Sequence, residues 1–462
     1  MQYPPNSQNK VSFTSLGCPR NLVDTEVMIG ILVHAGYEMT GSLEEADYLV
    51  VNTCGFLEAA RQESSETINA LLANKKEGAK VIVTGCMVSH NKEDLKNRFP
   101  NVHFFLGAGD VEGILKAVQS DARGEIFGSA KSYLEAGEVP RTLSTPLHYA
   151  YLKIAEGCKK ACAYCIIPKI KGPLKSKSEE QVLKEFRSLI NRGVQEVVLI
   201  AQDLGDYGKD KGAKEGKLAS LLNKILEIPG NYWLRLLYLY PDEITEDLIA
   251  VIQNDPRVCK YLDMPIQHIN DAVLKTMRRT TTGQEIKETI SKLRNRIPGI
   301  KIRTSLIVGF PGETEEQFQE LAAFLREYPL DQVGIFKYSN EPGAFSSRMA
   351  GQIDEEIKER RLKELAAIQQ NAVTDLNKKM IGQKLEVIIE GYHPESDLLM
   401  VGRYYGQCPE IDGQIIINEH SKVQAFGKRY SVEVTDFAGY DLVGRVIART
   451  SEKKSSKLQL CL

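Results

Sequence analysis

Tryptophan and excess charge are both scarce in this chain. It has one tryptophan and seven histidines among 462 residues, and 59 Lys and Arg stand against 61 Asp and Glu, for a formal net charge of −2. Such a balance argues against general electrostatic affinity for nucleic acid, although a local basic patch is compatible with it. No apolar run approaches the roughly 20 residues of a membrane span. The opening stretch, MQYPPNSQNK, has no apolar core of the signal-peptide kind. These absences lead to the expectation of a cytoplasmic protein with no membrane partner. Histidine is also missing where zinc would need it. His148 lies upstream of the central cysteines, and the next histidine is His268. The nine cysteines are an odd count, which with no sign of secretion makes a disulfide framework a weak reading.

Cysteine, by contrast, is present in a pattern. YLKIAEGCKKACAYCIIPK sets Cys158, Cys162 and Cys165 at C-x3-C-x2-C, with no fourth cysteine nearby. Structural zinc takes four ligands, so this set is incomplete for it. Three thiolates can instead hold three corners of a 4Fe–4S cubane and leave one iron open. An open iron can bind a substrate or cofactor, whereas a fully ligated cluster can only pass electrons.

Residues 1–128 alternate short apolar runs with helical stretches. KVSFTSLGC, ADYLVVNTC, KVIVTGC and FFLGAGDVEGILKAV carry the strand candidates. The alternation predicts an α/β domain with a parallel sheet of flavodoxin-like type. Cys18, Cys54 and Cys86 each end one of the first three strands. Ligands of open α/β sheets bind beyond the carboxyl ends of strands, so these thiols could converge on a second three-thiolate cluster. Three buried free cysteines are the bland alternative. GAGDVEG does not match a dinucleotide fingerprint.

Residues 129–148 read as a linker containing Pro140 and Pro146. Residues 149–377 hold six strand candidates separated by helices: YLKIAEG, EVVLIAQD, YWLRLLYLY, CKYLDMPIQ, KIRTSLIVGF and QVGIFKYS. Six β/α units predict a partial parallel barrel with its functional groups on the loops after the strands, where the central cysteines fall. In GFPGETEEQF, Gly309 and Gly312 allow a tight turn, and Thr314 with Gln317 forms a capping-box pattern. An ordinary strand-to-helix turn explains that stretch equally well. Residues 378–450 alternate apolar and polar positions broken by glycine, as expected of a small antiparallel β-barrel. Between Gln383 and Thr450 this segment carries ten acidic residues and seven Lys or Arg. It is therefore acidic on balance, which fits a basic protein partner better than RNA. Residues 451–462 read as a mobile tail. Cys259, Cys408 and Cys461 lack any partner pattern.

EGCKKACAYCIIP resembles the cluster signature of radical S-adenosylmethionine (SAM) enzymes. LGCPRN, NTCGF and TGCM before it are similar to the methylthiotransferase branch, and the final barrel looks like a TRAM domain. The resemblance covers nearly the whole chain. LGCPRNLVDTE, AQDLGDYG, LRLLYLYP and DMPIQHINDAVLKTMRR resemble the RimO type, which modifies an aspartate of the twelfth ribosomal protein of the small subunit. Pro19, Asp203 and His268 stand where the tRNA-modifying MiaB type tends to carry Gln, Asn and Ser.

The resemblance implies two 4Fe–4S clusters and SAM. Cys158, Cys162 and Cys165 would hold the radical-generating cluster, and Cys18, Cys54 and Cys86 the cluster that delivers sulfur. It implies hydrogen abstraction from the aspartate β-carbon and a methyl group from a second SAM. Gln202 and the Gly309, Gly312 and Glu313 turn become candidate SAM contacts. A reducing electron donor such as flavodoxin is expected, with tRNA disfavoured as substrate. The stretch KIKGPLKSK departs from the family, with Lys171 and Lys177 where arginines are common. It reads either as a single-point contact to SAM or substrate, or as a solvated basic loop. The rival functions are a tRNA adenosine methylthiotransferase, a two-cluster electron carrier and a structural zinc protein.

Overall fold

The computed structural model describes residues 9–90, 92–128, 134, 139–213 and 216–450. The tail with Cys461, and linker residues 129–133 and 135–138, lie outside them. The first sheet comprises β1 (Lys10–Ser15), β2 (Glu38–Met39), β3 (Tyr48–Thr53), β4 (Lys80–Gly85), β5 (Phe104–Gly107) and β6 (Gly124–Ile126). They are all parallel, in the order β2-β1-β3-β4-β5-β6. The flavodoxin-like order places the topological switch between β1 and β3. β3 is buried at every position, as an apolar YLVVNT run covered on both faces requires.

The central region contains β7 (Tyr149–Lys153), β8 (Ala155–Glu156), β9 (Lys175–Ser176), β10 (Glu196–Ile200), β11 (Trp233–Leu236), β12 (Val258–Asp263), β13 (Lys301–Val308) and β14 (Gln332–Lys337). Six of these form a parallel sheet in the order β14-β13-β12-β11-β10-β7, a partial barrel with β7 and β14 at its edges. Each strand sends alternate residues to two faces. Leu234, Leu236, Leu262, Ile302 and Leu306 pack with the outer helices, while Trp233, Val198, Ile200, Cys259 and Tyr261 pack inward. The antiparallel ribbon β8–β9 closes the base of the loop that carries the central cysteines.

The last region is a closed barrel of β15 (Lys384–His393), β16 (Ser396–Tyr404), β17 (Ile415–Glu419), β18 (Lys428–Ala438) and β19 (Asp441–Arg449). One pairing departs from the antiparallel expectation: β17 and β19 run parallel where the barrel closes. Closing a five-strand barrel with short loops brings two like-directed strands together.

A single core runs through all three regions, joining Val11 and Val23 to Tyr149, Trp233 and Tyr261 and on to Ile388 and Cys408. The small barrel docks at the amino ends of the central strands. Tyr149 and Tyr151 each donate to Glu410 at 2.8 Å, Tyr261 donates to Asp412 at 2.7 Å, and Arg235 donates to the Tyr405 carbonyl at 2.8 Å. Arg403 pairs with Glu196 at 3.0 Å and Glu390 at 2.6 Å, and Arg429 covers the Trp233 ring at 4.6 Å. The sheet domain docks at the β7 edge through the helix Pro19–His34. Its Glu26 accepts from Arg141 Nε at 2.9 Å and from the Ser144 amide at 2.8 Å, while its Asp24 pairs with Lys153.

Candidate active site between two cysteine triads

Cys18 follows β1 and immediately precedes the helix Pro19–His34, Cys54 follows β3, and Cys86 follows β4. The three thiols thus gather at the carboxyl edge, around the switch point. Two glycines make the approach close. A Cβ on Gly17 would lie 2.9 Å from the Cys54 Cβ, and one on Gly55 would lie 2.6 Å from the Met87 amide nitrogen. Asn21 ties the loops together. Its amide donates to Leu16 O and Thr53 O, each at 3.1 Å, and Cys86 donates to its Oδ1 at 3.6 Å.

Cys158, Cys162 and Cys165 line the loop between β8 and β9. Main-chain bonds hold that loop: Ala163 N to Met277 O at 3.0 Å, and Ser346 N to Ala163 O at 2.8 Å. The Lys160 amide donates to Cys158 Sγ at 3.3 Å, the Ile167 amide donates to Cys165 Sγ at 3.4 Å, and Tyr240 OH lies 3.4 Å from Cys162 Sγ. Donors aimed at sulfur favour thiolate and suit iron–sulfur ligation. Burial pushes Cys158 up to about 11, and Cys86 and Cys165 up to about 12. Burial also opposes ionisation of Cys18, but the Arg20 guanidinium, the Asn21 amide and Lys171 outweigh it and lower its pKa. Metal would have to displace protons from most of these thiols.

The two triads face one another. Cys86 packs with Ile166 and Ile170 of the other triad's loop. Arg20 is electrostatically coupled to Cys18 and Cys86 on one side and to Cys165 on the other.

The candidate SAM contacts divide. Gln202 follows β10, and both atoms of its side-chain amide are buried without a hydrogen-bond partner, as a residue waiting for a polar ligand would be. The turn after β13 is held by its own contacts, yet Glu313 Oε1, like the Gln202 amide, is buried without a hydrogen-bond partner. Glu313 accepts from the Gly309 and Phe310 amides, pairs with Arg361 at 3.4 Å and approaches His268 Nε2 at 3.6 Å. Gly309 has φ 76°, and a Cβ there would lie 2.3 Å from the Lys358 side chain. Gly312 has φ 84° and donates to Gly351 O at 2.9 Å. Phe310 packs against Ala163 of the cysteine loop. Thr314 and Gln317 form the expected capping box.

The basic-loop reading of Lys171 and Lys177 is overturned. Lys171 is buried and bridges the two regions, reaching Glu156 at 2.6 Å, Asp24 at 3.2 Å and the Ala108 carbonyl at 3.4 Å. Lys177 is also buried and pairs with Glu185. Carboxylates supplied by other parts of the chain draw both lysines inward. Other residues, Asp203 apart, escaped the sequence reading altogether. Arg279 lies over the Tyr240 ring at 3.8 Å, and its Nε and Nη1 are buried without partners. Asp203, Asp206 and Glu243 converge beside Cys158, but their charge is met by Lys160 and Lys209. Burial pushes Asp203 up to about 7 despite Lys160.

Three family profiles match successive parts of the chain. They are described as Uncharacterized protein family UPF0004 (residues 10–107), Radical SAM superfamily (152–325) and TRAM domain (381–447). The chain is 63% identical to the ribosomal protein uS12 methylthiotransferase RimO of Protochlamydia amoebophila, covering 95% of this chain and 93% of that one. It is 43% identical to the protein of the same name from Bdellovibrio bacteriovorus, over 97% and 99% of the two chains. The chain belongs to the RimO family of methylthiotransferases. At the level of fold alone, it resembles the radical SAM methyltransferase TsrM of Kitasatospora setae, with TM-score 0.52, 15% identity and coverage of 71% and 72%.

RimO-family membership brings two 4Fe–4S clusters and SAM as cofactors. The donor chemistry of this chain fits them, with two separate sets of three thiols and a partnerless buried amide beside one of them. Asp203 and His268, which the resemblance singled out in the sequence, each fix a local turn. Asp203 caps the following turn through the Gly205 amide at 3.0 Å, and His268 Nδ1 accepts from the Asn270 amide at 3.0 Å.

Proposed function

We propose that this protein attaches a methylthio group to the β-carbon of an aspartate in ribosomal protein uS12, using the two cysteine triads as opposed halves of one active site. The observation that carries the reading is the convergence of the triads across the interface between sheet domain and partial barrel, with Cys86 packed against the loop of Cys158, Cys162 and Cys165. When bound, a three-thiolate cluster on the central triad supplies the electron that cleaves SAM, and one on the other triad carries the sulfur.

The chain's own residues bind and orient. Cys158, Cys162 and Cys165 would hold the first cluster, while Cys18, Cys54 and Cys86 would hold the second. Gln202 is the candidate polar contact for SAM. Gly309, Gly312 and Glu313 support the cysteine loop from behind through Phe310. The β-carbon hydrogen of an aspartate is unactivated, so acid–base side chains alone do not remove it, and the protein's task is positioning and exclusion of water. An electron donor such as flavodoxin and a reducing cytoplasm belong to the same proposal, because six thiols must remain reduced to hold iron. tRNA is the disfavoured substrate. Glu390, Glu410 and Asp412, with Arg403 and Arg429, are engaged in docking the last barrel. Of its ten acidic and seven basic residues, the outward remainder is still acidic on balance.

Anaerobic reconstitution should give about eight irons per chain. Replacing Cys158, Cys162 and Cys165 with alanine should halve the iron and abolish 5′-deoxyadenosine formation. Replacing Cys18, Cys54 and Cys86 should halve the iron, spare SAM cleavage and stop methylthiolation. Mass analysis after incubation with uS12 and, separately, with tRNA decides the substrate. Modified adenosine without modified aspartate would overturn the reading.

A further inference from the structure

Arg20 is a guanidinium coupled to both triads. It is half-buried next to Cys18, coupled to Cys86 and, across the interface, to Cys165. Its Nη1 donates to the carbonyl of Ala201 at 2.9 Å, and its plane lies 5.0 Å over the ring of Tyr238. Both neighbours sit just beyond the carboxyl ends of central strands, after β10 and β11. Tyr238 is held there at φ 65°, a left-handed conformation that costs a bulky residue energy and marks an over-determined position. Among the described residues, no carboxylate comes within ion-pair distance of Arg20. Four neighbouring cations each have one: Arg141 has Glu26, Lys153 has Asp24, Lys171 has Glu156, and Lys160 has Glu243.

The acidic group beside it is the Cys18 thiol, and a partly desolvated cation gains from a further anion that a ligand brings. The reacting carbon of an aspartate lies one bond, about 1.5 Å, from its carboxylate carbon. A site that brings this carbon between two triads therefore brings a carboxylate there as well, beside thiolates that repel it. We propose that Arg20 reads the carboxylate of the target aspartate, with Ala201 O and Tyr238 fixing the guanidinium so that its remaining N–H groups face the gap. This rests on the aspartate reading above. Adenosine would present no such carboxylate, so Arg20 serves the specificity of the reaction as well as its geometry. A guanidinium also suits the task chemically, because its planar fork can grip a carboxylate through two parallel hydrogen bonds.

The test compares binding of dye-labelled uS12 with that of the same protein carrying asparagine at the target position. Both are titrated into the fully reconstituted protein with SAM, and iron content and the electron paramagnetic resonance of the clusters are recorded alongside. The unsubstituted protein should prefer the aspartate form by roughly ten- to a hundredfold, the range set by a hydrogen bond to a charged group. Arg20→Met should bring that ratio close to one. Arg20→Lys, which keeps the charge but loses the fork, should leave an intermediate ratio, and it decides the matter should Arg20→Met lose iron. A full ratio in Arg20→Lys together with altered iron or resonance in Arg20→Met would make Arg20 a counter-ion of the cluster and overturn the proposal. So would an unchanged ratio in both variants. Failure of the unsubstituted protein to modify uS12 at all would instead remove the functional reading beneath it.

Discussion

Glu313 shows how much of a turn one carboxylate can hold. Its carboxylate ties down two amides of the turn after β13 and meets Arg361, all away from water. Removing it leaves two buried donors unsatisfied and takes from Arg361 one of its two carboxylates, Glu315 being the other. Glu313→Ala should lower the unfolding free energy by about 3 kcal/mol, and Glu313→Gln, which keeps an acceptor, by about 1 kcal/mol. Urea denaturation of the two variants checks both values. At this scale the six cysteines were legible because their spacing and strand-end positions are local facts of the sequence. Tyr240, 78 residues from Cys162, and Glu341, which meets the Arg61 side chain from 280 residues away, were not. Lys171 was misjudged for the same reason. Its charge looked like a solvent-exposed one until Asp24 and Glu156 were folded against it.

Among the elements, the helix Pro19–His34 has the most to do. Its first residue follows Cys18, its second turn presents Asp24 and Glu26 to the partial barrel, and its far side packs into the first sheet. Gly30 lets the chain after it lie flush, since a Cβ there would stand 2.4 Å from the Pro140 carbonyl oxygen. Glu26→Ala would remove one of the two carboxylates that meet the buried Arg141, leaving Glu185 at 2.7 Å, and should destabilise the protein by about 2–3 kcal/mol. The thermal unfolding midpoint should fall accordingly, and Arg141→Met combined with Glu26→Ala should recover part of the loss. The longer strands and helices could be read from apolar periodicity. β2, β6, β8 and β9 could not, because segments of two or three residues show no period. The parallel β17–β19 pair was equally hidden, since strand direction within a closed barrel is decided by the barrel and not by either strand.

At the scale of the whole molecule, the acid response should report barrel docking. Burial works to raise the pKa of Glu390, but His148 and Arg403 outweigh it and hold the carboxyl at about 2, below its ordinary 4.5. A depressed carboxyl contributes stability that is complete above pH about 4.5 and is lost as the pH falls towards 2. Trp233, the single tryptophan, is 3% exposed at this interface beneath Arg429. Its emission should therefore shift to the red as the pH drops through that window. Glu390→Gln should flatten the response and weaken docking at neutral pH. No sequence pattern announced this contact. The three regions could be separated by composition and periodicity, but their mutual placement depends on pairs such as Tyr149 with Glu410, which only the assembled fold brings together.

The shared core has one more consequence. With sheet domain and partial barrel tied into one apolar core, the separation of the two triads is set by the packing of that core and not by either cysteine loop alone. A substitution deep in the core, far from every cysteine, can therefore act on the chemistry.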